Sequence, residues 1–188
     1  AKDYGMLTAA HAHGDEGMRR AIIAGVKTIE HGTLMEEPTM ELMIKHNAYL
    51  VPTISAGKAA AAMAEIPNFL PVVVAKKAKE IGPISEKNFK RAYEKGVPIA
   101  FGTDAGVSPH GDNGKEFTYM HEAGMPVVVA LQAAMTTPAK LLGMENELGI
   151  LKSGYLADIV AVDENPVSNV RTLESVSFVM KNGVVYKQ

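Results

Sequence analysis

The chain contains no cysteine, so disulfides and thiolate-held metals are both excluded, and any ion must be bound by nitrogen and oxygen donors. Histidine and carboxylate side chains are what remain for that work. Long hydrophobic runs are also missing. Apolar runs such as those at residues 97–101 and 127–131 fall far short of the roughly 20 apolar residues that span a bilayer, and they read as core segments with no membrane role. Neither sign of charge dominates: 19 Lys and Arg stand against 21 Asp and Glu, with no basic patch or arm to neutralise phosphates, so nucleic acid is not an expected partner. A basic-then-apolar leader is lacking as well, which points to the cytoplasm. The chain opens at Ala1 without an initiator Met and runs almost at once into a strand-like segment, so the expectation is that its true beginning lies upstream.

What is present describes an ordinary globular chain. At 188 residues, 47% of them hydrophobic, the chain can bury one good-sized core without staples. Four apolar, β-rich runs each end at a polar or glycine-containing turn: 6–10 before His11, 26–29 before His31, 48–51 before Pro52, and 97–101 before Asp104. Helical stretches lie between them. One covers 17–24, with Met18, Ala21 and Ile22 on one face and Gly25 where a C-cap is expected. Another covers 39–46, with Pro38 suited to its first turn. A longer helical insertion is predicted over 71–95, broken near Gly82-Pro83 and restarted with Ser85 as N-cap. This strand–helix alternation predicts parallel βα units. After Asp104, helices are expected at 115–123, 126–135 and 138–142, the last capped by Thr137, and they would close one side of a barrel. From Gly149 onward the pattern is short-stranded, with 159–162 and 177–180 β-like and Lys181-Asn182-Gly183 a turn into 184–186.

Polar residues fall in a telling place. Three potential metal ligands each sit just past the C-terminal end of an apolar strand, the side on which parallel βα barrels build their active sites. His11 begins His11-Ala12-His13-Gly14, His31 lies in Ile29-Glu30-His31-Gly32, and Asp104 lies in Gly102-Thr103-Asp104-Ala105-Gly106. Neutral imidazole and carboxylate suit zinc and similar divalent ions. A lone histidine at a strand end is more often a hydrogen-bonded structural residue; here the joint pattern carries the reading. His46 and His121 fall within predicted amphipathic helices and receive no role. Glu30 supports a neighbouring ligand, contacts a helix or touches substrate. Glu116, opening a helix, either orients a neighbour or complements the helix dipole, and the dipole is the simpler explanation.

These segments resemble the amidohydrolase superfamily, in particular its branch of imidazolonepropionase-like proteins and metal-dependent prolidases and carboxypeptidases. The His-Ala-His-Gly, Ile-Glu-His-Gly and Gly-Thr-Asp-Ala-Gly motifs look like the ends of that barrel's fifth, sixth and eighth strands. Gly149-Ile150, Gly154, Ala157-Asp158 and Asp163 look like the return into its small β-sandwich. The resemblance implies an α/β fold: a partial TIM-like (β/α) barrel, its C-terminal half, over residues 1–147, followed by a small β segment over 148–188. It implies one or two divalent ions, zinc above all, with His11 and His31 holding one and Asp104 holding the other. Asp104 would also shuttle protons for a metal-activated hydroxide attacking an amide carbonyl. His13 resembles a substrate-contacting position, with support of a ligand the equal alternative, and His110 is expected to bind substrate at the barrel mouth or support the site.

The activity so implied is hydrolysis of amide bonds in small substrates, dipeptides or N-acyl amino acids. Alternatives are a cyclic-amide hydrolase of the imidazolonepropionase kind, or a non-catalytic half-barrel fragment. A complete barrel needs eight βα units, and no His-x-His strand end or lysine placed for carbamylation is present, Lys2 being too early in the chain. The expected partners are therefore the N-terminal half of the barrel, in cis or as another chain, and a small amide substrate; a homo-oligomer is compatible with this reading.

Overall fold

The computed structural model describes residues 1–188 except the side chain of Lys2, so the reading of Lys2 lies outside the described residues. The chain is α/β and forms two compact units, Ala1–His110 and Gly111–Gln188.

In the first unit, β1 (Ala9–Ala12), β2 (Thr28–His31) and β3 (Tyr49–Val51) form a parallel sheet in that order. The sheet is continued past β3 by a parallel bridge between Leu50 and Ile99. There the Leu50 N–H donates to the Pro98 carbonyl at 2.8 Å and the Ala100 N–H donates to the Leu50 carbonyl at 2.9 Å. All four strand-like runs expected from the sequence therefore lie side by side. Helix α1 (Asp15–Ile23) crosses from β1 to β2, and α2 (Glu37–His46) crosses from β2 to β3, with Pro38 in its first turn as anticipated.

Each helix hands the chain to the next strand by the same device. After α1, Gly25 N–H donates to the Ile22 carbonyl and Val26 N–H to the Ala21 carbonyl. This paired closure satisfies carbonyls that the helix end leaves free and needs a left-handed residue at the turn. Gly25 supplies it with φ +98°, and at the end of α2 Asn47 takes the same conformation with φ +49°. The chain then enters β2 at Thr28 and β3 at Tyr49.

Between β3 and the fourth extended segment lie α3 (Ile54–Met63) and α4 (Val72–Lys95), packed against each other. Helix α3 was not anticipated, and α4 is one continuous helix where a break at Gly82-Pro83 was expected. Small residues explain both. The α3 sequence Ser55-Ala56-Gly57-Lys58-Ala59-Ala60-Ala61 lacks the large apolar side chains that mark a helix face, but its small surface lets α4 approach closely. A Cβ added to Gly82 would stand 3.1 Å from the Ala61 Cβ, so α3 braces α4 just where Pro83 removes a backbone bond. Tertiary packing thereby overrides a local helix-breaking signal.

The core of this unit lies between the sheet and its helices. Ile29 and Leu50 of the sheet and Met18, Ile22, Met40, Met43, Phe89 and Ala92 of the helices are all buried. Met18 and Ile22, four residues apart on α1, form one inward face.

The second unit begins with α5 (Lys115–Glu122), α6 (Val127–Ala134) and α7 (Thr136–Leu141). Helix α7 starts at Thr136, so Thr137 lies inside its first turn and is not the cap the sequence suggested. The strands β4 (Ile159–Ala161), β5 (Phe178–Lys181) and β6 (Val184–Lys187) form one antiparallel sheet in that order. Asn182 and Gly183, at φ +48° and +78°, turn β5 into β6 with the backbone twist that two-residue hairpins favour. The Asp158 carboxylate accepts from the Lys181 ammonium and the Asn182 N–H; that lysine, then that N–H, hold its pKa below the ordinary aspartate value. Glu116 in α5 is fully buried, more than a role at the helix dipole requires. Among the described residues, no helix is long and apolar enough to cross a membrane.

Because Ile22 is fully buried between α1 and the sheet, Ile22→Ala is expected to destabilise the protein by about 2–5 kcal/mol, read as a lowered urea midpoint. A change near zero would show that α1 is not part of the cooperative core.

Candidate metal centre

The register of β1 and β2 decides which side chains meet. Ala12 pairs with His31 and His11 with Glu30, so two histidines from strands 20 residues apart arrive at the same end of the sheet. His11 Nδ1 lies 2.8 Å from His31 Nε2. His13, just beyond β1, completes the group: its ring stacks on His31 at 4.8 Å between centroids, and the His11 ring stands edge-on to both, at 4.7 Å from His13 and 4.5 Å from His31.

Two of these rings are held from behind by buried threonines. Thr33 Oγ1 lies 2.9 Å from His13 Nδ1, and Thr53 Oγ1 lies 2.7 Å from His31 Nδ1. The two threonines are 3% and 5% exposed, so these bonds form away from water. Thr33 is in turn fixed by the helical insertion, since Asn88 of α4 donates through Nδ2 to the carbonyls of Thr33 (2.7 Å) and Met35 (3.1 Å). Arg91 Nη1 donates to Asn88 Oδ1 at 2.8 Å and orients that amide.

A cavity of about 250 Å³ opens at this end of the sheet, lined by His11, Glu30, His31, Val51, Thr53 and Asp104, with Gly102 and Thr103 completing the wall. A Cβ at Gly102 would collide with Val51, so the fourth extended segment passes this wall only with glycine there. Three residues at the cavity have left-handed backbones, His31 (φ +74°), Thr53 (φ +47°) and Asp104 (φ +52°). Such conformations are uncommon for non-glycine residues and concentrate at functional sites.

The electrostatics favour neutral imidazoles. Burial holds His31 below the ordinary histidine pKa, with His13 and His11 adding to the effect and Asp104 opposing it. Burial likewise lowers His13, helped by His11 and Lys77. Glu30 is pushed up by burial; the Thr28 hydroxyl, donating at 2.5 Å, offsets part of this, and the Asp104 charge adds to it. Neutral imidazole is the form that ligates metals.

The donor set suits a divalent ion. Ligand atoms of His11, His13 and His31 all lie within 4.8 Å of one another. Two nitrogens bound to one zinc at about 2.0–2.1 Å each stand at most about 4.2 Å apart, so small ring movements suffice. Of the residues singled out from sequence, the structure brings together His11, His13 and His31 and puts Asp104 on the wall of the cavity that His11 and His31 line. His110 is exposed and does not line that cavity. His46 is exposed at the end of α2, and His121 Nδ1 bonds the Met125 carbonyl at 3.1 Å, a structural contact. Thr33, Thr53 and Asn88 were missed. The signal for Thr53 was available: it follows the third apolar run as directly as His11 and His31 follow the first two.

Residues 1–187 match the amidohydrolase family. The chain belongs to that family. This amidohydrolase chain is 31% identical over 186 residues to the ochratoxinase of Aspergillus niger, covering 96% of the chain and 38% of the relative. It is also similar to a crystal structure of a Xaa-Pro dipeptidase with bound methionine in the active site, at 54% identity and TM-score 0.96, covering all of this chain and 46% of that one. A prolidase complexed with N-methylphosphonate-L-proline matches at 29% identity and TM-score 0.89, covering all of this chain and 47% of that one. This chain thus spans less than half the length of each of these proteins.

Asn88→Ala removes the donor to two buried carbonyls. Each unsatisfied group costs about 1–3 kcal/mol, so the variant is expected to lose stability of that order and to loosen the Thr33 loop, read as faster amide exchange at residues 33–35. Unchanged exchange there would mean that the loop is held by other contacts.

Proposed function

We propose that this chain is the C-terminal half of a (β/α) barrel in a divalent-metal-dependent hydrolase of small amides, dipeptides with C-terminal proline above all. The observation that carries the reading is the meeting of His11 Nδ1 and His31 Nε2 at 2.8 Å beside a cavity that Asp104 also lines. The dipeptide preference rests on similarity to a Xaa-Pro dipeptidase and to a prolidase complexed with a proline-containing phosphonate.

His11 and His31 would hold the ion, and Asp104 would complete the site. When bound, zinc or a similar ion lowers the pKa of water and polarises a carbonyl. Asp104, exposed to the cavity mouth, accepts a proton and returns it to the leaving nitrogen. His13, on the same side of the extended chain as His11, presents an imidazole to a substrate carboxylate. Glu30, its carboxyl pushed up by burial, adds a second acid close to the reacting bond.

The sheet itself supports the partner part of this reading. β1 stands at one edge of its sheet, Ala9 and His11 are exposed, and Met6 and Leu7 are 67% and 50% exposed. An open parallel edge with apolar neighbours requires cover. Further barrel strands, in cis or from another chain, would pair with β1 and supply the remaining ligands.

The test uses the protein as its gene encodes it. Xaa-Pro dipeptides are expected to be hydrolysed, elemental analysis is expected to show one or two divalent ions per chain, and His31→Ala and Asp104→Asn are each expected to lower kcat by about 10²–10⁴. Purification without stoichiometric metal, or full turnover by His31→Ala, would overturn the proposal. Residues 1–188 expressed alone as an active, cooperatively unfolding monomer would refute the need for the other half.

A further inference from the structure

We infer that Thr53 is a positioning residue of the metal centre, holding the His31 ring by its Nδ1 so that Nε2 faces the ion. The inference rests on the metal-site reading above and adds a residue to it.

Three observations meet at Thr53. It stands at the N-terminus of α3, the place where a threonine hydroxyl ordinarily accepts from the free N–H groups of the first turn, yet its side chain makes no such capping bond. Its hydroxyl is instead 2.7 Å from His31 Nδ1. The residue also adopts φ +47° and ψ +47°, a left-handed conformation that a β-branched side chain disfavours strongly. A threonine that forgoes both its usual cap and its usual backbone region is held by something else, and the bond it makes in return is to a candidate ligand. Burial reinforces this, because at 5% exposure water does not compete for the hydroxyl.

The chemistry is specific. With Nε2 turned toward the ion, the ring proton sits on Nδ1 and donates to Thr53 Oγ1. That bond selects the tautomer and fixes the ring plane, as carboxylates and carbonyls do behind metal-bound histidines. A direct clamp on His11 Nδ1 is not available, since that atom faces His31. Thr53 therefore sets the geometry of the pair through His31 alone.

Thr53→Val, Thr53→Ser and Thr53→Gly separate this role from a structural one. In the protein as its gene encodes it, Zn²⁺ affinity is measured by competition with a chromophoric chelator, and unfolding midpoints are measured without metal. Val, which keeps shape and branching but lacks the hydroxyl, is expected to weaken zinc binding about 10–100-fold. Ser, which keeps the hydroxyl, is expected to stay within about threefold of the parent, the spread within which such contributions vary. Gly is expected to weaken zinc binding as Val does while leaving the metal-free midpoint unchanged or higher, because it accepts the left-handed backbone. A gain or tie in stability alongside lost affinity is what a packing role cannot produce.

Zinc bound by Thr53→Val or Thr53→Gly as tightly as by the parent overturns the inference and leaves the hydrolase reading standing. Loss of affinity by Ser equal to that of Val also overturns it. A parent protein that takes up no Zn²⁺ overturns the hydrolase reading and this inference with it.

Discussion

Everything at the open end of the parallel sheet depends on three imidazoles being crowded together. With ring centroids 4.5–4.8 Å apart, protonation of more than one would set like charges side by side in a partly buried place. Burial and mutual proximity both push His13 and His31 toward the neutral form. That form leaves a lone pair on each ring, so the same crowding that penalises protons prepares nitrogen donors for a cation. The Nδ1 atoms of His13 and His31 bond threonines, while His31 Nε2 and His11 Nδ1 face each other at 2.8 Å.

The fold creates this crowding by register. Parallel strands place residues at one sheet end by the point at which each strand stops, and β1 and β2 are aligned so that Ala12 meets His31. The paired closures after α1 and α2 fix where the following strand begins. An extra residue in either turn would slide His31 or Thr53 away from its partner and reverse the faces of the strand. The helical insertion acts from the other side. Through Asn88, α4 grips the carbonyls of Thr33 and Met35, tying a loop beside the histidines to a helix more than 50 residues later. An α3–α4 pair with little sequence signal of its own thus becomes a brace for the site.

The βα order was legible because apolar runs ended at polar turns, and helix α2 was legible because Pro38 and its apolar spacing agreed. Histidine and aspartate at strand ends were legible for the same reason, since polarity following an apolar run is a pattern in one dimension. What escaped was three-dimensional. Helix α3 is written in alanine, serine and glycine, residues whose helical use here comes from close approach to α4. Pro83 read as a break because its local effect is plain and the compensating contact from Ala61 is distant in sequence. Asn88 carries no motif, and its importance arises only from the two carbonyls within its reach. Glu116 read most simply as a complement to its helix dipole, whereas its side chain is buried. Each miss is a place where tertiary packing overrode a local preference.

Strain follows the same logic. His31, Thr53 and Asp104 all carry left-handed backbones although glycine, which would relieve each of them, is used freely in the turns nearby. A chain selected for stability alone would place glycine or asparagine at such points, as it does at Gly25 and Asn47. Side chains at these three positions must therefore do something that glycine cannot, and for His31 and Asp104 that is to present a donor atom to the cavity. Thr53 lines the same cavity, and its hydroxyl is committed to His31. The backbone strain at Thr53 is thus explained only through the ring it holds, which makes the threonine part of the same constraint that keeps the imidazoles together.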